Sequence, residues 1–383
     1  MRAVAAFVVA CSGLLAIGDS PFDVGHTPCA LSIPNRDSQP CTPFVLTPAR
    51  ILATFPTRAF RAFTIDAIAP LSDGSLAVAA GDELFRVRSG GVEALWGSGH
   101  RHSRQRPWVA TWTSGLPPTP PPTAKPYDAF LYLLGTFGDT ALIQYGTDWL
   151  FGIGNDGAIN FRFYRANSEL GEQPTFFGRD PDGTLWFQSG NNRIKREAVY
   201  ALYPNGTLAI LTVAVSDVFQ ASSGFVYAAS GRDLVQLRSI PYPQARSVHE
   251  SPVSNTDYLN DLSGSFTVRR LGSDKSVWLS TPNFIFHEHP DGQIIKLRLV
   301  RDFTTISHMP KPFEISSSTD GSVWFTYGSR VVRITGDDRI QVMSLPKIGY
   351  YPNLRLAPDG SAWVRTDAND RSILHIAPPA ERP

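Results

Sequence analysis

Residues 320–346 read DGSVWFTYG, SRVVRIT, GDD and RIQVMSLP in succession. An Asp-Gly pair opens the stretch, and in a type I′ hairpin turn both central residues need φ > 0, which these two residue types tolerate. A short apolar run carrying Trp324 follows, then a second turn, then Arg330–Thr335 with the alternation of a strand. Gly336-Asp337-Asp338 turns the chain again into Arg339–Pro346. Four short antiparallel strands in about 40 to 45 residues make one blade of a β-propeller.

The same grammar recurs along the chain. It returns at Asp182 (DGTLWFQSG), Asp359 (DGSAWVRTD) and Asp73 (DGSLAVAAG), with looser copies at Asp139 (DTALIQYGT), Ser223 (SGFVYAASG) and Asp274 (DKSVWLSTP). Successive starts are 66, 43, 41, 51, 46 and 39 residues apart. The expected fold is therefore all-β, a seven-bladed propeller over residues 49–383. The last unit ends near Ala377 without room for a fourth strand, while Arg50-Ile-Leu-Ala-Thr-Phe55 is a strand without a unit. These two should pair and close the ring, leaving no exposed sheet edge. The longest interval holds an insertion at residues 97–125 with the proline tract Pro117-Pro118-Thr-Pro-Pro-Pro122, suited to an extended surface path.

Composition agrees and narrows the function. Of 383 residues, 42% are hydrophobic and 11% aromatic, enough to bury a large core, and 31 Gly with 31 Pro punctuate the chain as short strands require. Net charge is +1 with no Lys/Arg-rich run, so no nucleic-acid surface is expected. Residues 1–18 have the form of a signal peptide: Arg2, an apolar stretch, and small residues at Ala16 and Gly18. A rival reading takes Val8-Val9-Ala10-Cys11 as a lipobox that anchors Cys11 to lipid. Either way the chain is expected outside the cytoplasm, secreted or periplasmic, with no transmembrane segment. Cys29 and Cys41 then form an even pair, and a disulfide there would hold the extension at residues 19–48.

The Asp-Gly-x-x-Trp-Phe, Arg-Ile-Thr and Leu-Pro elements resemble the virginiamycin B lyase (streptogramin lyase) family, best over residues 320–346, next over 182–211 and loosely over 65–377. The resemblance implies seven blades and an enzyme that opens a cyclic ester by elimination, using magnesium, a histidine base and acidic residues near the central channel. At the implied histidine position stand Thr175, Phe313 and Asn353, and at the implied glutamate position Ser189, Tyr327 and Thr366. None is a proton acceptor near neutral pH or a strong magnesium ligand. The expectation is a binding or interaction module rather than an enzyme, with these six residues lining the ligand site at the channel mouth, no catalytic residues and no cofactor. The ligand would be a small organic molecule or a protein, and the chain a monomer. The alternative is a divergent metal-dependent C–O lyase or hydrolase on a cyclic ester or lactone, with magnesium and with Glu83, Glu93 or Asp148 as acid and base.

Other clusters read as structure first. His287 and His289 share a strand face and could converge on a metal, but the repeat puts them in a third strand near the outer rim, so no metal site is assigned. His100 and His102 lie in the insertion, and His249-Glu250 runs into Ser-Pro and cannot form a helical zinc motif. Trp186, Trp278, Trp324 and Trp363 recur at one repeat position, as inter-blade core would. Asp73, Asp182, Asp320 and Asp359 each precede Gly and are expected to shape turns through their own backbone. Asn205-Gly206-Thr207 fits a turn as well as a glycosylation signal.

Overall fold

The computed structural model describes residues 44–96, 131–250, 268–298 and 315–379, apart from short stretches within them. Seven antiparallel sheets follow one another, and their first strands form an inner ring. These are Ala67–Pro70, Leu131–Phe137, Thr175–Arg179, Ser216–Gln220, Val268–Leu271, Ser316–Ser317 and Asn353–Leu356. Each touches the next, and Asn353–Leu356 returns to Ala67–Pro70. This is the expected seven-bladed propeller, and the blades are numbered here from Ala67–Pro70. Its one described helical element is a single turn at Thr57–Phe60, and among the described residues no helix is long and apolar enough to cross a membrane.

Ring closure is as expected. Ile51–Pro56 lies antiparallel to Ser372–Ile376, with Thr54 opposite Leu374, and the Ala377 amide donates to the Arg50 carbonyl at 2.9 Å. Phe44–Leu46, which the sequence placed in the extension, is already part of the sheet. It runs parallel to Ile340–Ser344 as a fifth strand of blade 6, and the Thr47 amide donates to the Val342 carbonyl. The entering chain thus covers the outer edges of blades 6 and 7 in turn, satisfying backbone groups that would otherwise invite edge pairing.

The core lies between blades. Among the described residues it divides into seven clusters, one at each junction. In blade 1, Leu76, Val78 and Ala80 face blade 7, while Ala77 and Ala79 face blade 2. A second strand buried on both faces reads as a continuous apolar run, which is why the repeat shows its aromatic more clearly than its alternation. The four recurrent tryptophans are fully buried, as expected.

One turn type differs from expectation. At the Asp-Gly corners only the glycine has φ > 0 (Gly74 79°, Gly183 94°, Gly321 81°, Gly360 79°), and the preceding aspartates do not. The corner is therefore a three-residue loop with a left-handed glycine, not a type I′ turn. The aspartate's task is to cap it: the amides of Ser75, Thr184, Ser276, Ser322 and Ser361 each donate to the carboxylate two residues earlier, at 2.9–3.0 Å.

Candidate functional site

Strand direction gives the ring two unlike ends. All first-to-second and third-to-fourth strand turns lie at one end, and all blade-to-blade connections leave from the other. The long connections at residues 97–130, 251–267 and 299–314 therefore join strand ends at that second end, here called the mouth. The insertion at 97–125, Phe313, Asp148, His100, His102 and the signal and cysteine segments fall outside the described residues.

The remaining mouth candidates do not behave alike. Thr175 begins the inner strand of blade 3 and is exposed. Asn353 begins that of blade 7, and its side-chain Oδ1 is buried without a hydrogen-bond partner among the described residues. Arg365, opposite it, reaches instead to the Ile65 carbonyl of the chain entering blade 1. Ser189 is buried in the second strand of blade 3, and Tyr327 ends that of blade 6. Thr366 is 1% exposed, and its hydroxyl accepts the Ser372 amide at 2.9 Å, closing the connection between two strands. On the inner ring Arg270 pairs with Asp217 at 2.9 Å, stacks over Phe219, and donates to the Ile315 carbonyl, joining blades 4, 5 and 6. No repeat motif marks this pair, because one partner stands in each of two units. Glu83 and Glu93 occupy the third and fourth strands of blade 1, with Glu93 opposite Arg86.

The turn end holds a recurring network that was half legible. In blades 1, 5, 6 and 7 the corner aspartate also accepts from the serine hydroxyl two residues on, and in blades 1, 6 and 7 that serine meets a third-strand residue. In blade 6, Asp320 binds Ser322 Oγ at 2.6 Å and Arg333 Nη2 at 2.6 Å, and Arg333 lies over Trp324. Burial raises the Asp320 carboxyl, but Ser322 and Arg333 outweigh it and hold the group below its ordinary range. Blade 1 repeats this with Asp73, Ser75 and Arg86, and Arg86 continues to the Asn155 carbonyl in the turn of blade 2 at 2.9 Å. In blade 7 the third-strand residue is His375. It stacks on Trp363 at 3.9 Å, and its Nε2 meets Ser361 Oγ at 2.8 Å.

Blade 3 departs, since Ala201 lies opposite Trp186. The indole N–H instead donates to Asp180 at 2.7 Å, and the Val226 amide of blade 4 donates to the other oxygen at 3.1 Å. Burial pushes Asp180 up to about 6 against these two donors, and the charge of Asp182 adds to the rise. A cleft of about 410 Å³ lies over this seam, bounded by Asp182, Phe225 and Arg238. Asp182 is engaged there by the Ser239 hydroxyl, so both carboxylates join blades 3 and 4.

In blade 5 the network changes again. His287 stacks on Trp278 at 3.6 Å and is 0% exposed, but its Nδ1 reaches Asp338 Oδ1 of blade 6 at 2.7 Å. His289 Nε2 reaches Asp338 Oδ2 at 2.9 Å. Burial lowers the His287 pKa, and Asp338 opposes that shift without cancelling it. The two histidines share one face, as the sequence implied, and Asp338, 49 residues beyond His289, meets both from blade 6. The available signal was an Asp at the turn position held by Gly206 and Gly292 in blades 3 and 5.

No family model matches the chain, and no curated protein sequence matches it. Solved structures do resemble it. An inactive variant of virginiamycin B lyase from Staphylococcus aureus, with quinupristin, is 12% identical over 86% of this chain and 98% of that one, with a TM-score of 0.49. The extracellular domain of a proposed hybrid two-component system from B. thetaiotaomicron is 10% identical over 84% of this chain, with a TM-score of 0.50. That match spans only 39% of the other chain. A gluconolactonase from Xanthomonas campestris is 10% identical over 89% of this chain and 99% of that one, with a TM-score of 0.40. At these identities the likeness is a distant one of β-propeller fold.

Proposed function

We propose that the protein is an exported propeller that binds a small neutral organic ligand at the mouth and carries no lyase chemistry of the streptogramin type. The observation that carries this reading is Asn353: a buried amide oxygen without a partner, at the mouth end of an inner strand, is a hydrogen-bond acceptor awaiting a donor. Thr175 is exposed at the corresponding position of blade 3. The Asp217–Arg270 pair sets opposite charges against each other on the channel wall, which favours a neutral ligand over an ion. Rigid strands ending in long connections are the usual setting for binding residues. Export rests on residues 1–18 and the even cysteine pair, and N-terminal sequencing of the mature protein tests it.

Ligand-observed NMR with a panel of neutral saccharides and cyclic depsipeptides, quinupristin among them, tests the binding role. At least one class should bind, with affinity unchanged by chelator and lost in Asn353→Ala. Quinupristin should remain intact by mass spectrometry with or without magnesium. Magnesium-dependent ring opening, abolished by chelator, would establish the divergent lyase instead.

A further inference from the structure

We infer that His287, His289 and Asp338 form a binding site for a divalent transition ion of the zinc class, clamping blade 5 to blade 6 at the turn end. It is separate from the mouth and does not depend on a ligand there. Ring nitrogens of both imidazoles and the Asp338 carboxylate lie within 4.8 Å of one another. Two imidazoles and one carboxylate suit zinc, copper, nickel or cobalt better than magnesium, which prefers oxygen donors.

Three features favour a metal site over a simple hydrogen-bonded bridge. First, His287 has left the place that its repeat position offers. In blade 7 the equivalent His375 meets Ser361 through Nε2 at 2.8 Å, whereas His287 Nε2 is buried without a partner. The ring, held between Trp278 and His289, points Nδ1 across the blade junction instead. Second, Asp338 has φ 64°, at a turn position where Gly206 and Gly292 have φ 82° and 87°. A non-glycine residue there is strained by roughly 1 kcal/mol, and such strain is found where a side chain has work at that spot. Third, one side is open: His289 and Asp338 each remain 20% exposed, so an ion can enter and retain water.

The geometry needs little adjustment. Zinc–ligand bonds of about 2.1 Å set tetrahedral ligand separations near 3.4 Å. The present N···O distances of 2.7 and 2.9 Å would open by about half an ångström as the ion replaces the two shared protons. Both protons leave to solvent or to the other ring nitrogen, as metal binding to imidazole requires. In blade 7 the equivalent nitrogen meets the Ser361 hydroxyl, and Ser276 holds that position in blade 5. Ser276 Oγ is already held by Asp274 at 2.6 Å, as Ser361 is held by Asp359 in blade 7. A carboxylate–serine–histidine–metal chain would then supply the outer hydrogen bond that metal-bound histidines usually make.

The test uses untagged full-length mature protein, stripped with chelator and titrated with zinc chloride by calorimetry. Cobalt chloride serves as a spectroscopic reporter of the ligand field. One ion per chain should bind, with a rise in the thermal midpoint. Asp338→Gly restores the residue type of the sister turns and should fold, yet lose affinity by on the order of 100-fold or more. His289→Ala should do the same, and Ser276→Ala should weaken binding by about tenfold. His100→Ala/His102→Ala should bind as the wild type does. Failure of zinc to bind, equal binding by Asp338→Gly, or loss of binding in the His100/His102 variant would each overturn the site.

Discussion

Blades 5 and 7 carry the same residues in the same register, a corner Asp, a Ser two residues on, a Trp, and a third-strand histidine facing that Trp. Trp278 lies opposite His287, and Trp363 opposite His375. Both rings stack on their indoles, yet His375 stays inside its blade on Ser361 while His287 crosses to Asp338 of blade 6. The in-blade frame does not separate them; His289, where blade 7 has Ala377, and the next blade's turn do. Blade 6 presents Asp338 there, whereas the corresponding turn of blade 1 is Ser89-Gly90 before Gly91, which offers no carboxylate. A propeller's repeated in-blade frame is thus a platform on which a single residue in the neighbouring unit redirects a side chain.

The largest way to break the comparison acts on how the two blades are completed. Blade 5 takes all four strands from one stretch, but blade 7 borrows Ile51–Pro56. Deleting residues 1–56 should abolish the cooperative thermal transition seen by circular dichroism, because it bares the closing edge and removes the fifth strand of blade 6 as well. Trp278→Ala and Trp363→Ala should each cost about 3–5 kcal/mol in denaturant unfolding, since both indoles fill fully buried junctions. Similar losses would show that the frame, not the histidine's destination, carries the stability.

Blade 3 sharpens the point, because without a third-strand partner its indole relies on Asp180. That carboxyl is raised from 3.8 to about 6 in the folded protein, so folding favours its protonated form. The stabilisation is fully present below about pH 3.8 and lost as pH rises through about 6. Between pH 4 and pH 8 the stability of Asp180→Asn relative to the wild type should improve by up to about 3 kcal/mol. A flat difference across that range would remove Asp180 from the account. His375→Ala should cost about 1–2 kcal/mol through the lost Ser361 bond and stacking. Smallest of all, Asp338→Gly in metal-free protein should change stability by less than about 1 kcal/mol, strain relief offsetting two lost bonds. Its ¹⁵N imidazole spectrum should show His287 moving to the His375 pattern, bonded through Nε2.

How much could be read beforehand follows from sequence distance. Blade number, the buried tryptophans and the capping role of the corner aspartates were legible because they belong to a short-range pattern that recurs from unit to unit, and the closing strand was legible because Arg50–Phe55 had no unit of its own while the last unit lacked a strand. The turn type differed because Asp-Gly suits two loops, and the number of residues between the paired ends of the first and second strands, not the dipeptide, selects between them. Phe44–Leu46 gave no signal, being three residues paired parallel to a strand almost three hundred positions away. Thr366 looked available at the mouth, but its hydroxyl closes the connection to Ser372. Asp338 was legible only as a glycine that is missing.

The chain's own order of turns and apolar runs determines the blades, since antiparallel hairpins form between neighbours in sequence and each unit repeats the same short-range pairing. Which side chains meet across the blade junctions was settled only once the ring closed. Those contacts join units some forty-five residues apart through single, unrepeated residues, and nothing in either unit alone encodes the other's position.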